Sequence, residues 1–210
     1  MVLNIVVVGV GGQGILSLSR MIGEAALAHG WDVRVAETHG LSQRGGSVIV
    51  HVRIGKEVVA PTISEGEADL MLALELIEAA RYSYYLRHGS FAIVNDKAIK
   101  PSLPGTKVPQ PKELKNALER VAKVRYLSAS ETAIALGNPV GANMVIFGYF
   151  SRIAEEAGIY SLEEARKMAA GVGGKRYGPI NERLFMKGVE YALRDGVSDI
   201  AVFVRERLNI

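Results

Sequence analysis

Four glycines and an amide lie within six residues near the start of the chain, in the segment Gly9-Val10-Gly11-Gly12-Gln13-Gly14. Glycine lets the chain reverse tightly and bring backbone N–H groups close to a ligand. The apolar run Ile5-Val6-Val7-Val8 before the loop is typical of a buried parallel strand, and the segment from Ile15 to Ala28 has helical apolar spacing. Strand, glycine turn and helix N-terminus together predict a loop that binds a polar or anionic ligand. We expect the residues facing it to include Gly11, Gly12, Gln13 and Gly14.

Three interpretations of this loop are open from the residues alone. An NAD site needs an acidic residue at the end of the second strand, and Glu37 stands there, after Val33-Arg34-Val35-Ala36. The extra glycine and the amide at Gly12-Gln13 favour the close approach of some other polar ligand. In the third interpretation the glycines only allow a strand and a helix to pack tightly, as in many α/β domains that bind no nucleotide.

A second glycine-rich segment follows the second strand, Asp32 to Glu37, and reads Thr38-His39-Gly40-Leu41-Ser42-Gln43-Arg44-Gly45-Gly46-Ser47. The residues from Ser47 to Ile54 then alternate as in a half-buried strand, with the valines on one face. Gly55-Lys56 is predicted to turn the chain so that residues 57–60 return as the second arm of a hairpin. This antiparallel insertion would place the polar segment at the carboxyl edge of the sheet, beside the first glycine loop.

Three side chains on this second loop are candidates for contacting a ligand. Arg44 carries a planar donor fork that suits carboxylate or phosphate. His39 can exchange a proton or donate a hydrogen bond, and Gln43 can do the latter. The alternative is a loop held by its own backbone, with Arg44 in solvent. No residue of the chain is identified as a catalytic acid, base or nucleophile.

Composition excludes several classes of function. The formal charge of +3 comes from mixed charges without a basic block, so nucleic acid is not expected as a partner. We expect a cytoplasmic protein, because the start of the chain does not read as a signal peptide and no apolar run is long enough to cross a membrane. The chain has no cysteine and only four histidines, His29, His39, His51 and His88, so neither an iron–sulfur cluster nor a zinc site is expected. His29 and His88 each precede a glycine at a predicted helix end, which favours a structural role.

The 210 residues are interpreted as a single domain with an α/β core over residues 1–136 and a mostly helical part over residues 137–210. The fold class is α/β: a Rossmann-like, doubly wound, mostly parallel sheet with an antiparallel hairpin insertion. Further strands are predicted at 68–74, 91–95 and 124–127, and helices at 75–86, 112–122 and 130–136. The apolar helix Gly141 to Ala157 is expected to lie partly in the core and partly in a subunit interface. A last helix is predicted from Pro179 to about Arg194.

The two loops together resemble the gamma-type catalytic domain of the 2-oxoacid:ferredoxin oxidoreductase family, and the stretch Ser42-Gln43-Arg44-Gly45-Gly46 with His39 resembles its indolepyruvate branch. Later segments agree with the resemblance: Gly66-Glu67-Ala68-Asp69, Gly137-Asn138-Pro139, and Asn181 with Phe185 and Gly188. The resemblance covers nearly the whole chain.

The resemblance implies a subunit, inactive alone, of an enzyme that oxidatively decarboxylates arylpyruvates, reduces ferredoxin and forms acyl-coenzyme A. Thiamine diphosphate, Mg and the iron–sulfur clusters are expected on a partner alpha subunit, which also contacts ferredoxin. The two loops would face the substrate or coenzyme A. A stand-alone NAD(P)-binding oxidoreductase and a non-catalytic scaffold subunit are the alternatives.

Overall fold

The computed structural model describes residues 1–39, 45–100 and 108–210, and the side chain of His39 lies outside that description. In these ranges six strands form one sheet, in the order β2-β3-β1-β4-β5-β6. The strands are β1 Val2–Val10, β2 Asp32–His39, β3 Ser47–Gly55, β4 Ala68–Ala73, β5 Leu86–Asn95 and β6 Lys123–Leu127. β3 runs antiparallel to both of its neighbours, while β1, β4, β5 and β6 pair in parallel.

Helices cover both faces of the sheet. They are α1 Ile15–Ala28, α2 Leu76–Arg81, α3 Pro111–Glu119, α4 Ala129–Ala135, α5 Ala142–Ala157, α6 Leu162–Gly171, α7 Gly174–Asp195 and α8 Ser198–Leu208. The side chains of Leu3, Ile5 and Val7 face a core built mainly by α1, α5, α7 and α8. Val6 and Val8 face a smaller core that includes α2 and α3. Burial on both faces explains why β1 is a continuous apolar run. The predicted α/β class is confirmed, and no helix in the described ranges is long and apolar enough to cross a membrane.

The antiparallel insertion is confirmed, but its predicted pairing is wrong. Residues 57–60 form no strand, because β1 and β2 already occupy both edges of β3. In the register, Val50 opposes Val7 of β1 and Glu37 of β2. The return segment is instead tied to the start of β2, where the Val58 amide donates to the Asp32 carboxylate at 2.8 Å. The hairpin is therefore formed by β2 and β3, and the second glycine-rich loop connects them.

Several other boundaries differ from the prediction. The helix expected at 75–86 ends at Arg81, and a 3₁₀ turn at Ser83–Tyr85 leads into β5, so the exposed His88 lies in a strand rather than at a helix end. α7 begins at Gly174, so Pro179 lies inside it, where its missing N–H removes one intrahelical hydrogen bond. α8 was not predicted at all.

His29 has the structural role that the sequence predicted. It ends α1, its Nδ1 lies 2.9 Å from the Ala25 carbonyl, and its Nε2 accepts the Ser161 amide at 3.2 Å. Nε2 also lies 2.6 Å from the Glu164 carboxylate. His29 therefore links the end of α1 to the start of α6.

The crossing of α5 and α7 depends on two glycines. A Cβ at Gly148 would collide with the Phe185 carbonyl, and a Cβ at Gly188 with the Val145 carbonyl. The backbones of the two helices therefore meet without intervening side chains. Nearly all of α5 is buried within the chain, and the residues that reach solvent are charged: Arg152, Glu155 and Glu156. The predicted place of α5 in the core is confirmed, because α7 and its other neighbours cover its apolar sides, and its part in a subunit interface stays a prediction.

A buried carboxylate joins three elements at the opposite, amino edge of the sheet. Asp69 of β4 is fully buried, and its Oδ2 accepts the Asn4 amide of β1 at 2.8 Å. Its Oδ1 lies 3.3 Å from Nε of Arg87 on β5 and 3.0 Å from Nε of Arg207 on α8. Through this carboxylate the amino end of β4 is linked to β1, to β5 and to the last described helix.

Candidate functional site

The first glycine loop connects β1 to α1 at the carboxyl edge of the sheet. Gly12 and Gly14 have φ angles of +101° and +79°, which favour glycine. A Cβ at Gly14 would also collide with the Asn143 amide on α5. The turn therefore requires glycine for its backbone shape at both positions, and at Gly14 for the close approach of α5 as well.

Gln13 uses its side chain to hold this turn. Its Oε1 accepts the Val10 amide at 2.7 Å, and its Nε2 donates to the Leu74 carbonyl of the β4–α2 connection at 3.1 Å. Both ends of the amide are thus bound to backbone. The amide that the sequence suggested for a ligand instead fixes the end of β1 against the end of β4.

The two glycine-rich loops meet, as the sequence predicted. The Gly11 amide donates to the Gly46 carbonyl at 2.8 Å, and the Gly45 amide donates back to the Gly11 carbonyl at 3.2 Å. Gln43 and Arg44 lie outside the described residues, as does the His39 side chain, so their contact with a ligand stays a prediction. The end of β2 and the start of β3 nevertheless anchor that loop beside residues 11–14.

Glu37 is poorly placed for the ribose contact of an NAD site. β3 lies between β2 and β1, so the strand bearing Glu37 is two strand spacings from the strand bearing the glycine loop. At about 4.8 Å per spacing, β2 and β1 are about 10 Å apart. In a nucleotide-binding fold the two corresponding strands are adjacent. The antiparallel insertion therefore disfavours the NAD interpretation.

On the face of the sheet that α2 covers, two buried carboxylates lie close to the same edge. Ser47 donates to the Glu78 carboxylate, and its hydroxyl lies 2.8 Å from that of Tyr82. Glu75 caps α2 by accepting the Glu78 amide at 2.7 Å, and it also accepts the Ile99 amide at 2.7 Å. Burial raises the pKa of Glu75.

Sequence reasoning missed these acids. The sequence signal that could have revealed them is Glu75, which follows the buried strand β4. Residues that follow parallel strands lie at the carboxyl edge of the sheet. Glu75 and Glu78 have partners within the protein, so the arrangement supports a role in holding the edge together.

On the other face, a cleft of about 490 Å³ opens beside the first glycine loop. Its lining includes Gly12, Gly14, Gly137, Asn138, Pro139, Val140, Gly141, Asn143, Gly173, Tyr177 and Asn181. Asn138 donates to the Asn181 side chain at 3.0 Å, and Asn181 donates to the Val172 carbonyl at 2.9 Å. The motif Gly137-Asn138-Pro139 and the residue Asn181, which the sequence singled out separately, are thus brought together beside the glycine loop.

An α/β sheet whose carboxyl edge carries a glycine loop, a second loop joined to it and a cleft beside them belongs to the Rossmann-like class of proteins. The particular family is shown by its match to residues 4–191: the chain belongs to the pyruvate ferredoxin/flavodoxin oxidoreductase family.

Within the family the chain is more similar to one kind of subunit than to another. It is 49% identical over 171 residues to the indolepyruvate oxidoreductase subunit IorB of Archaeoglobus fulgidus, covering 78% of this chain and 83% of that protein. It is 42% identical to IorB of Pyrococcus horikoshii, and the match covers 69% of this chain and 74% of that protein. Identity to the pyruvate/ketoisovalerate oxidoreductases common subunit gamma of Thermococcus litoralis is 27%, covering 88% and 96%. The predicted resemblance to the indolepyruvate branch is confirmed.

Solved structures show the same fold at lower identity. The keto/oxoacid ferredoxin oxidoreductase gamma subunit from Geobacter sulfurreducens superposes with a TM-score of 0.66 at 23% identity, covering 91% of this chain and 99% of that one. The pyruvate oxidoreductase subunit PORC from Thermotoga maritima gives 0.68 at 21% identity, covering 90% and 96%.

Proposed function

We propose that this chain is the subunit of an indolepyruvate-type 2-oxoacid:ferredoxin oxidoreductase that carries none of the redox cofactors. Its cytoplasmic partner is an alpha subunit bearing thiamine diphosphate, Mg and iron–sulfur clusters. The complex oxidatively decarboxylates arylpyruvates, passes the two electrons to ferredoxin and transfers the acyl group to coenzyme A. The similarity to IorB subunits supports the arylpyruvate substrate, because the common gamma subunits are much less similar.

The donor groups of this chain do not fit the cofactors. Without cysteine it offers no thiolate to an iron–sulfur cluster. The described residues also contain no group of three His, Asp or Glu side chains that could hold a metal ion. No step of the reaction is therefore assigned to a cofactor on this chain.

The contribution of the chain is to complete the active site with its two loops. The observation that carries this proposal is the pair of hydrogen bonds between Gly11 and residues 45 and 46, which joins the loops at the carboxyl edge of the sheet. Ligands of open α/β sheets bind at that edge. The groups that face the substrate or coenzyme A are the backbone at Gly11, Gly12, Gln13 and Gly14, and the side chains of His39, Gln43 and Arg44.

The proposal is tested by co-expressing the chain with its alpha-type partner and measuring the reduction of ferredoxin. We expect reduction that depends on both coenzyme A and an arylpyruvate, with indolepyruvate preferred over pyruvate. Each subunit alone should be inactive. Full activity of the alpha subunit alone would contradict the proposal and would mean that this chain is a non-catalytic scaffold.

Arg44 tests the role of the second loop. Arg44→Ala should preserve assembly but lower kcat/KM for 2-oxoacid or coenzyme A about 10- to 100-fold, because a charge-assisted hydrogen bond is lost. Arg44→Lys should recover only part, since an ammonium lacks the planar fork. Arg205→Ala removes an exposed arginine on α8 and serves as the matched control. If Arg44→Ala behaves like Arg205→Ala at sub-saturating substrates, Arg44 faces no ligand.

A further inference from the structure

The cleft beside the first glycine loop has an uncharged and largely apolar wall. Its apolar side chains are those of Pro139, Val140, Met144, Val172 and Tyr177, and none of the lining residues that the structure describes carries a charge. The volume of about 490 Å³ lies within the range of small-molecule sites, which combine apolar walls with a few fixed polar groups. The wall of this cleft therefore suits an apolar ring better than an anionic group.

Two asparagine side chains present only acceptors to a ligand in this cleft. Asn138 and Asn143 both line it, and each residue is only 6% exposed. No described residue donates a hydrogen bond to either side-chain oxygen, and neither oxygen is closed off from solvent. A ligand in the cleft that carries an N–H or O–H group can donate to them.

The orientation of both amides is fixed by hydrogen bonds within the protein. The side-chain nitrogen of Asn138 donates to the Asn181 oxygen at 3.0 Å, and Asn181 in turn donates to the Val172 carbonyl at 2.9 Å. The side-chain nitrogen of Asn143 donates to the Gly14 carbonyl at 3.3 Å. Turning either amide over would break these bonds, so each asparagine keeps its oxygen for the ligand.

One aromatic ring in the wall is available for stacking. Tyr177 lies in the first turn of α7, lines the cleft and is 39% exposed. A Cβ at Gly173 would lie 2.8 Å from the Cβ of Tyr177, so this glycine leaves room for the tyrosine beside the cleft. Aromatic rings attract one another in offset-stacked and edge-to-face arrangements.

We propose that the cleft holds the aryl group of the substrate, with an indole N–H donating to Asn138 or Asn143 and the ring packing on Tyr177. Indole has a single polar atom, and that atom is a donor, which matches a cleft whose free side-chain groups are acceptors. The 2-oxoacid group remains outside the cleft, where the cofactor of the partner subunit can reach it. This inference rests on the proposed function and adds the residues that select the substrate.

The adenine of coenzyme A matches the same groups less well. Asparagine recognises adenine with both ends of its amide, because the oxygen accepts from the exocyclic amine and the nitrogen donates to N7. In this cleft both donor ends are already engaged, by Asn181 and by the Gly14 carbonyl. The ring nitrogens of adenine would therefore lack side-chain donors, whereas indole has no such acceptor to satisfy.

The first test compares indolepyruvate with its benzothiophene analogue in the reconstituted complex. Sulfur replaces the N–H with little change of shape, so the analogue lacks only the donor. We expect kcat/KM to be about 10-fold lower for the analogue, because a hydrogen bond is lost. Asn138→Ala or Asn143→Ala should bring the two values together, and partial unfolding cancels because both substrates are measured on one variant. A ratio near one in the unmodified complex, or an unchanged ratio in both variants, would overturn the proposal.

The second test removes the aromatic ring from the wall. Tyr177→Ala should raise KM for indolepyruvate about 10-fold with little change in kcat, because stacking is lost. Turnover of pyruvate, which has no aryl group, should not change, and Tyr177→Phe should behave like the unmodified chain. Tyr84→Ala is the matched control, since Tyr84 is 49% exposed in the turn before β5. Equal effects of Tyr177→Ala on both substrates, or equal effects of the two alanine variants, would contradict the proposal.

Binding by the chain without its partner separates the cleft from the function. Ligand-observed NMR of the full chain with indole, benzothiophene and adenosine should show tightest binding for indole, weakened by Tyr177→Ala. That result from a chain whose reconstituted complex lacks activity would refute the proposed function and support the cleft. Tighter binding of adenosine than of indole would refute the cleft, even where the complex oxidises arylpyruvates.

Discussion

Both ends of the Gln13 amide are bound by the protein's own backbone, which makes this residue a test of the glycine loop. Gln13→Ala removes the acceptor of the Val10 amide and the donor to the Leu74 carbonyl. We expect the free energy of unfolding to fall by about 1–3 kcal/mol, because partly buried backbone groups lose their partners. Chemical denaturation of the purified chain measures this. Unchanged stability together with weaker binding of coenzyme A would instead show that the side chain faces the ligand.

His51 predicts a pH dependence of stability. It is buried, and its Nδ1 accepts the Ile63 amide at 3.2 Å. Burial lowers the pKa of this imidazole below its ordinary value near 6.5. As pH falls through about 6.5 the unfolded chain binds a proton that the folded chain does not, so the free energy of unfolding decreases by up to about 1.4 kcal/mol per pH unit.

His51→Gln should remove that slope, as measured by urea denaturation at steps between pH 7.5 and pH 5.5. His88→Gln, at an exposed position on β5, is the matched control and should retain it. If the His51→Gln slope equals that of the control, other groups determine the dependence.

At the scale of elements, the crossing of α5 and α7 makes a steric prediction. Gly188→Ala places a methyl group against the Val145 carbonyl and should destabilise the chain by about 3 kcal/mol, because two backbones must separate. Gly171 is the last residue of α6, and a Cβ there would meet nothing within 4 Å. Gly171→Ala should therefore be neutral or stabilising by about 0.5 kcal/mol. The thermal unfolding midpoints of the two variants test this prediction. Equal midpoints would mean that the helices have room to separate.

The sequence predicted strands and helices correctly where their apolar periodicity is strong. It failed where the pairing of a strand with its neighbours in the sheet decides the structure. β1 and α1 have strong apolar periodicity, and the structure places them as expected. Residues 57–60 look like a strand, but they have no free edge to pair with, since β1 and β2 flank β3. The site shows the same limit. The contact between the two glycine loops followed from strand order, whereas the asparagines of the cleft come from two distant segments that only the packing of α7 on α5 brings together.

At the scale of the whole molecule, the sheet order predicts that the isolated chain does not bind NAD(H). β3 separates the strand of Glu37 from that of the glycine loop. A dinucleotide spanning adjacent strands would therefore lose its ribose contact. Titration calorimetry with NADH should show no micromolar affinity. A tight one-to-one isotherm would restore the interpretation as a stand-alone oxidoreductase.

The buried carboxylate of Asp69 also bears on how the chain acquires its fold during synthesis. Asn4 and Arg87 are close to Asp69 in the order of synthesis, but Arg207 is added only after the rest of the sheet has been made. A nascent chain that closed its sheet without α8 would bury a charge that is only partly compensated, which is strongly unfavourable. The charge of Asp69 is therefore fully compensated only once α8 has packed against the amino edge of the sheet.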